Sequence, residues 1–194
     1  RMGEQEKILG IHMSYSPVLD INTNPENPVI GNRSFGEDPI RVANKGVALM
    51  QGHHDAGILT SGKHFPGHGD TDKDSHKTLP TVGFDRTRLE KTETYPFKKA
   101  IEQGLSSVMT AHLHVPALTV SDDPTSLSHS VVTQLLKQKI GFNGLAITDA
   151  LNMKGAEPKD SSANLDLLAL IAGNDILLIS KDIPLGIKKI KIDI

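Results

Sequence analysis

Residues 128–149, SHSVVTQLLKQKIGFNGLAITD, predict a helix that leads directly into a buried strand. Valine and leucine residues recur at helical spacing after Ser128, which is a residue type that caps helices, and Gly141 favours the end of the helix. The run 145–148, LAIT, is short, apolar and rich in β-type residues. A helix followed at once by a buried strand is the repeating unit of parallel α/β folds.

The same alternation extends in both directions along the chain. Four further strand candidates are the residues 12–20, 57–63, 106–112 and 176–179. Helical patterns separate or follow these strands. They predict a helix that begins at Asp38, a helix over residues 85–103 that is interrupted near Tyr95-Pro96, and helices over residues 165–172 and 184–190. Five strand–helix alternations predict a parallel α/β sheet. They do not distinguish an open doubly wound sheet from a barrel, although no G-x-G-x-x-G motif follows a strand to favour dinucleotide binding.

Length and composition bound the class of protein. The 194 residues predict one domain over 1–194, and the net charge of -2 gives no basic surface for nucleic acid. The absence of cysteine excludes disulfides, thiolate zinc sites and a cysteine nucleophile. No apolar run approaches the ~18 residues of a membrane span, and no signal-peptide core follows the first residues, so we expect neither in this chain. Compartment and oligomeric state stay open.

Polar side chains follow the predicted strands where each strand ends. Lys63 and His64 end the second strand, His112 ends the third, and Asp149 follows the fourth. Because parallel α/β folds place their sites at the carboxyl ends of the strands, these residues predict a site there. The alternative is that they are ordinary polar loop residues.

The densest segment is 63–76, KHFPGHGDTDKDSH, which holds three histidines and three aspartates between positions 64 and 76. Two interpretations compete. Histidine and aspartate are zinc ligands, so the segment could hold a catalytic metal. Alternatively, the spacing of Asp74 and His76 places both side chains on one side of an extended backbone. The carboxylate would then orient the imidazole for general acid–base catalysis near neutral pH.

Two further candidates lie outside that segment. Asp149 is a carboxylate at the end of a buried strand, where desolvation is costly unless the group is used or paired. Its alternative role is to cap a following helix. Arg33 is the one arginine in a loop of amides and turn residues, and it would either bind an oxygen-rich ligand or tie the loop down through carbonyl groups.

Together these segments resemble glycoside hydrolase family 3, in particular its NagZ-like β-N-acetylglucosaminidases. The matching stretches are SPVLDINTNPENPVIGNRSFGEDP (16–39), KHFPGHGDTDKDSH (63–76), VMTAH (108–112) and GLAITDALNM (144–153). The resemblance implies a (β/α)8 TIM-barrel-type domain that removes terminal N-acetylglucosamine from muropeptides or related glycans with retention of configuration. Carbohydrate is then the partner, and neither a cofactor nor a metal is implied.

Carried over by position, the resemblance also implies the roles of individual residues. Asp149 would be the nucleophile that forms a covalent glycosyl-aspartate, His76 the general acid/base, and Asp74 the group that orients His76. The sugar contacts would be Arg33, Lys63, His64 and His112. Most retaining glycosidases use two carboxylates instead, so a histidine acid would set this branch apart.

The chain also departs from the family pattern. Only about strands 3–7 of the barrel are expected within it, and residues 155–165 look shorter than the family's corresponding loop and helix. Two alternatives therefore remain: an inactive sugar-binding fragment, or a β-glucosidase or xylosidase of the same family.

Overall fold

A computed structural model describes residues 1–158 and 164–193. Four strands form one sheet in the order β1 (Met13–Ser14), β2 (Leu59–Phe65), β3 (Ser107–Thr110) and β4 (Leu145–Thr148). Each neighbouring pair is parallel. The prediction of a parallel α/β sheet from the strand–helix alternation is confirmed.

The first and last predicted strands are shorter than expected. The run 12–20 forms only the two residues of β1 and a single bridge from Val18 to Lys63. The run 176–179 contributes one bridge, from Ile176 to Ile147. Both segments lie at the edges of the described sheet, where a strand has neighbours on one side only, so fewer ladder bonds hold them extended.

Helices connect and cover the strands. They are α1 (Met2–Ile8), α2 (Pro39–His54), α3 (Arg86–Lys91), α4 (Tyr95–Glu102), a π-helix (Ser130–Lys139), α5 (Leu165–Ala172) and α6 (Ile183–Asp193). Asp38 caps α2 by accepting the Arg41 N–H at 2.7 Å, and the interruption expected near Tyr95-Pro96 lies at residues 92–94, between α3 and α4. Ser128 does not cap through its side chain, because its hydroxyl bonds the Ser130 hydroxyl instead.

The core lies between the sheet and these helices. Phe65 from β2 and Phe97 from α4 are fully buried and meet edge to face, with ring centroids 5.3 Å apart. Val108 and Ala146 extend the same cluster across β3 and β4. Full burial of such large side chains contributes roughly 1.5–3 kcal/mol each. This packing fixes the carboxyl ends of the strands relative to one another.

Residues 159–163, inside the segment expected to be short, lie outside the described residues, as does position 194. Within 1–158 and 164–193, none of the helices combines the length and the apolar composition needed to cross a bilayer.

Candidate active site

A cavity of about 260 Å³ lies at the carboxyl ends of the strands. Five of the seven residues predicted for the site line it, namely Arg33, Lys63, His64, His76 and Asp149. Its other lining residues are Tyr15, Val29, His68, Ser75, Met109 and Leu178. The strand ends therefore converge on one polar cavity, as the sequence predicted.

Asp149 is placed in this cavity by β4, which it directly follows. Its N–H donates to the carbonyl of Thr110 at 2.9 Å, which extends the β3–β4 pairing by one residue. Its Oδ1 accepts the N–H of Ala150 at 2.8 Å. The next helical turn begins only at Lys154, so Asp149 does not cap a helix and the capping interpretation is wrong.

Asp74 and His76 form the pair that their spacing predicted. The His76 Nδ1 lies 2.8 Å from Asp74 Oδ1, and the same oxygen accepts the N–H of His76 at 2.9 Å. The backbone here is a turn and not extended, because the N–H groups of Lys77 and Thr78 both donate to the Asp74 carbonyl. The N–H of His76, followed by its side chain, keeps the pKa of Asp74 below its usual value.

A second aspartate–histidine pair joins residues that are 44 positions apart. Asp20 is fully buried, and its Oδ2 lies 2.7 Å from His64 Nδ1. The same carboxylate accepts the N–H of His64 at 3.1 Å and that of His68 at 2.7 Å. Burial by itself would raise the pKa of Asp20, but His64 and His68 hold it below the usual value. Asp20 thus fixes the ring of His64 through Nδ1.

His68 is a buried residue of the cavity lining and connects parts of its own loop. Its Nδ1 is 2.7 Å from Thr71 Oγ1 and its Nε2 is 3.0 Å from Ser75 Oγ. Burial lowers the pKa of His68, against an opposing effect from Asp20. The neutral imidazole is therefore favoured, and it can both donate and accept a hydrogen bond.

The loop that carries Arg33 is bonded to the histidine-rich loop. Asn27 donates to the carbonyl of His68 at 2.9 Å, and Thr23 donates to Asp70 at 2.6 Å. Arg33 donates to the carbonyl of Val29 at 3.3 Å, which ties the loop down, and it also lines the cavity.

Lys63 lies beside Arg33 on the cavity wall. Burial and the neighbouring Arg33 charge lower the pKa of Lys63, while Asp149 and Asp20 act in the opposite direction. The wall therefore presents two cationic donors and a carboxylate to anything that enters.

His112 is placed differently from the other predicted contacts. Its ring is fully buried and does not line the cavity. Its Nδ1 lies 2.7 Å from Ser126 Oγ and its Nε2 lies 3.1 Å from the carbonyl of Ala150. Burial lowers its pKa, with Asp149 opposing. His112 therefore supports the segment after Asp149 from behind, and the prediction of a direct sugar contact is not supported by this position.

The metal interpretation finds no matching geometry. The rings of His64, His68 and His76 face Asp20, the Thr71 and Ser75 hydroxyls, and Asp74 respectively. In the part of the chain that the structure describes, no three histidine or carboxylate side chains are grouped as a metal site would require.

Asp20, His68, Ser75, Tyr15 and Met109 had no site role assigned from the sequence, although Asp20 was placed at a predicted strand end and His68 in the histidine-rich segment. Asp20 carried a usable signal, because it is a carboxylate at the end of a predicted strand. Nothing in the local sequence marks Tyr15 or Met109, which reach the cavity only through the arrangement of the sheet.

Comparison with known proteins identifies the family to which the chain belongs. Residues 1–192 match the glycosyl hydrolase family 3 N terminal domain. A beta-hexosaminidase A from Pseudoalteromonas piscicida is 38% identical over 91% of this chain and 31% of its own length. A family 3 beta-N-acetylglucosaminidase structure from Paenibacillus sp. is 40% identical, with a TM-score of 0.91 over 98% of this chain and 36% of that chain. NagZ from Neisseria gonorrhoeae is 34% identical, with a TM-score of 0.83 over 96% and 53% respectively.

The chain spans less than two thirds of each of these relatives, and the described sheet corresponds to a fragment of their barrel-like domain. The match to the family 3 N terminal domain nevertheless covers nearly all of the 194 residues of this chain. This chain belongs to glycosyl hydrolase family 3.

Proposed function

We propose that the protein is a retaining exo-β-N-acetylglucosaminidase that releases terminal N-acetylglucosamine from muropeptides or related glycans. Residues 1–194 would form one part of its catalytic barrel. The observation that carries the proposal is that Asp149 and His76 line one cavity, with His76 bonded to Asp74. A nucleophile and a proton donor on the same cavity are what a two-step glycosyl transfer requires.

In the first step, the Asp149 carboxylate attacks the anomeric carbon and forms a glycosyl ester. The protonated His76 imidazole gives its Nε2 proton to the glycosidic oxygen as the bond to the leaving group breaks. Asp74 accepts the Nδ1–H of His76, which orients the ring and stabilises the imidazolium.

In the second step, the neutral His76 imidazole takes a proton from water. The resulting hydroxide attacks the anomeric carbon, the ester bond breaks, and the Asp149 carboxylate is restored. Arg33, Lys63 and His64 bind the sugar hydroxyls from the cavity wall, and His112 contributes by holding the Asp149 segment.

The choice of substrate rests on the relatives. They are described as a beta-hexosaminidase, a beta-N-acetylglucosaminidase and NagZ. The muropeptide assignment rests on the NagZ-like pattern of residues 63–76. A β-glucosidase, a xylosidase and an inactive sugar-binding fragment are the competing outcomes of the test below.

The test compares substrates whose leaving groups differ in acidity, using the full-length protein. Asp149→Ala should abolish turnover of every N-acetylglucosaminide and prevent labelling by a 2-fluoro glycosyl probe. His76→Ala should lower kcat/KM about 100-fold or more on a disaccharide, since general acids contribute roughly 10²–10⁴-fold, and much less on a dinitrophenyl glycoside.

His129→Ala is the matched control, because His129 is exposed and does not line the cavity. It should leave both substrates unaffected. Preference for a glucoside or xyloside would select the alternative specificity. Binding of the sugar without turnover, by the full-length protein and by residues 1–194 alone, would select the inactive sugar-binding alternative. Equal losses on both substrates in His76→Ala would refute the acid role.

A further inference from the structure

We propose that Ser75 is a positioning residue that holds the Asp74–His76 pair at the correct distance from Asp149. The inference rests on the proposed function, because it concerns the geometry of that reaction. Ser75 separates the two members of the pair in sequence and is itself buried. Its side chain bonds His68, which lines the cavity, and its backbone bonds Gly155 in the segment that follows Asp149.

The first connection runs from Ser75 to His68. The Thr71 hydroxyl donates its hydrogen to the carbonyl of His68 at 3.1 Å, so it accepts from His68 Nδ1–H at 2.7 Å. The neutral ring then carries a lone pair on Nε2. The Ser75 hydroxyl donates to that nitrogen at 3.0 Å. Because Asp20 also accepts the N–H of His68, this bond anchors Ser75 to the end of the buried strands.

The second connection runs from Ser75 to the segment that follows Asp149. The N–H of Gly155 donates to the carbonyl of Ser75 at 3.0 Å. A Cβ at Gly155 would lie 2.7 Å from the carbonyl oxygens of Ser75 and Thr78, closer than real Cβ contacts. Only a residue without a side chain lets these two segments approach so closely.

These two connections matter because the pair itself is exposed. The polar contacts of the Asp74 carboxylate and the His76 ring run to each other, so they set the orientation of the ring but not its distance from the nucleophile. Ser75 connects that pair to His68 through its hydroxyl, and to the segment after Asp149 through its carbonyl. A misplacement of about 1 Å can lower a rate by about 100-fold, so loss of either connection should weaken proton transfer.

The experiment measures kcat/KM of Ser75→Ala on a disaccharide and on a dinitrophenyl glycoside. We expect a loss of about tenfold or more on the disaccharide, which needs the acid, and a change within about threefold on the activated glycoside. Ser75→Thr keeps the hydroxyl and should recover most of the disaccharide activity.

Ser107→Ala is the matched control for loss of a buried hydroxyl. Ser107 is fully buried and donates to the carbonyl of Thr60 at 3.1 Å, but it lies at the start of β3, away from the cavity. It should leave the ratio of the two kcat/KM values unchanged. If Ser75→Ala does not fold, Gly155→Ala is judged by the same ratio, with Gly83→Ala as its control, where a Cβ meets nothing within 4 Å.

A parallel loss on both substrates, or no loss on either, would overturn the positioning role of Ser75. Failure of the proposed function gives a different result, because the unmodified protein would then turn over neither substrate or would not depend on Asp149 and His76.

Discussion

Two of the histidines that line the cavity, His64 and His76, are each paired with an aspartate, with nearly the same chemistry and opposite surroundings. In each pair the carboxylate lies within hydrogen-bond distance of Nδ1, at 2.7 Å for Asp20–His64 and 2.8 Å for Asp74–His76. In each pair it also accepts the backbone N–H of its histidine. The His64 side chain is 7% exposed and the Asp20 side chain 0%, against 63% and 27% for His76 and Asp74.

The difference shows that the same hydrogen bonds can serve two purposes. A buried pair is rigid and costly to disturb, because a remaining charge or donor has no access to water. An exposed pair contributes little to stability and keeps access to substrate and water. The buried pair suits a fixed sugar contact, and the exposed pair suits a group that exchanges protons. The following predictions test this division through the free energy of unfolding.

The largest expected effect is that of Asp20→Asn. The amide keeps one acceptor oxygen but turns N–H donors toward donors of His64 and His68, and it removes the buried carboxylate charge that these donors face. Breaking a buried pair costs about 3–5 kcal/mol, so the free energy of unfolding should fall by about 3 kcal/mol. Urea unfolding measures it. A loss below about 1 kcal/mol would show that burial does not separate the two pairs.

An intermediate effect is expected on lowering the pH. Burial lowers the pKa of both His68 and His112 in the folded protein. The unfolded chain binds protons at these histidines near the ordinary value of about 6.5. Below that pH the unfolded state therefore holds more protons, and the stability that is complete above it is lost as the pH falls.

Each histidine changes the free energy of unfolding by at most about 1.4 kcal/mol per pH unit. Urea unfolding between pH 7.5 and 5 measures this pH dependence, and His68→Gln should make the free energy of unfolding vary less with pH. A free energy of unfolding that is constant or rises over this range would contradict the prediction.

The smallest effect on stability is expected for Asp74→Asn, which is the same substitution as Asp20→Asn in the exposed pair. The free energy of unfolding should change by less than about 0.5 kcal/mol, because exposed ion pairs contribute little. Under the proposed function, kcat/KM on a disaccharide should fall nevertheless, since the imidazolium loses its counter-charge. Destabilisation as large as that of Asp20→Asn would remove the distinction between the pairs.

The sequence predicted the exposed pair and missed the buried one for a physical reason. Asp74 and His76 are two residues apart, so local geometry brings them together whether the backbone is extended or, as found, a turn. Asp20 and His64 are brought together only because β1 and β2 are neighbours in the sheet. His112 shows the same limit: its position at the end of β3 was predictable, but the direction of its ring depends on Ser126 and Ala150.

The sequence by itself determined the parallel α/β class, the break between α3 and α4, and the strand ends that carry Lys63, His64 and Asp149. Those features follow from periodicity, capping and strand-end placement, which act over a few residues. Tertiary structure alone decided which histidine is exposed, which carboxylate is buried, and how Ser75 meets both His68 and Gly155. These depend on contacts between segments far apart in sequence, whose distances are set by the packing of the sheet and not by any local pattern.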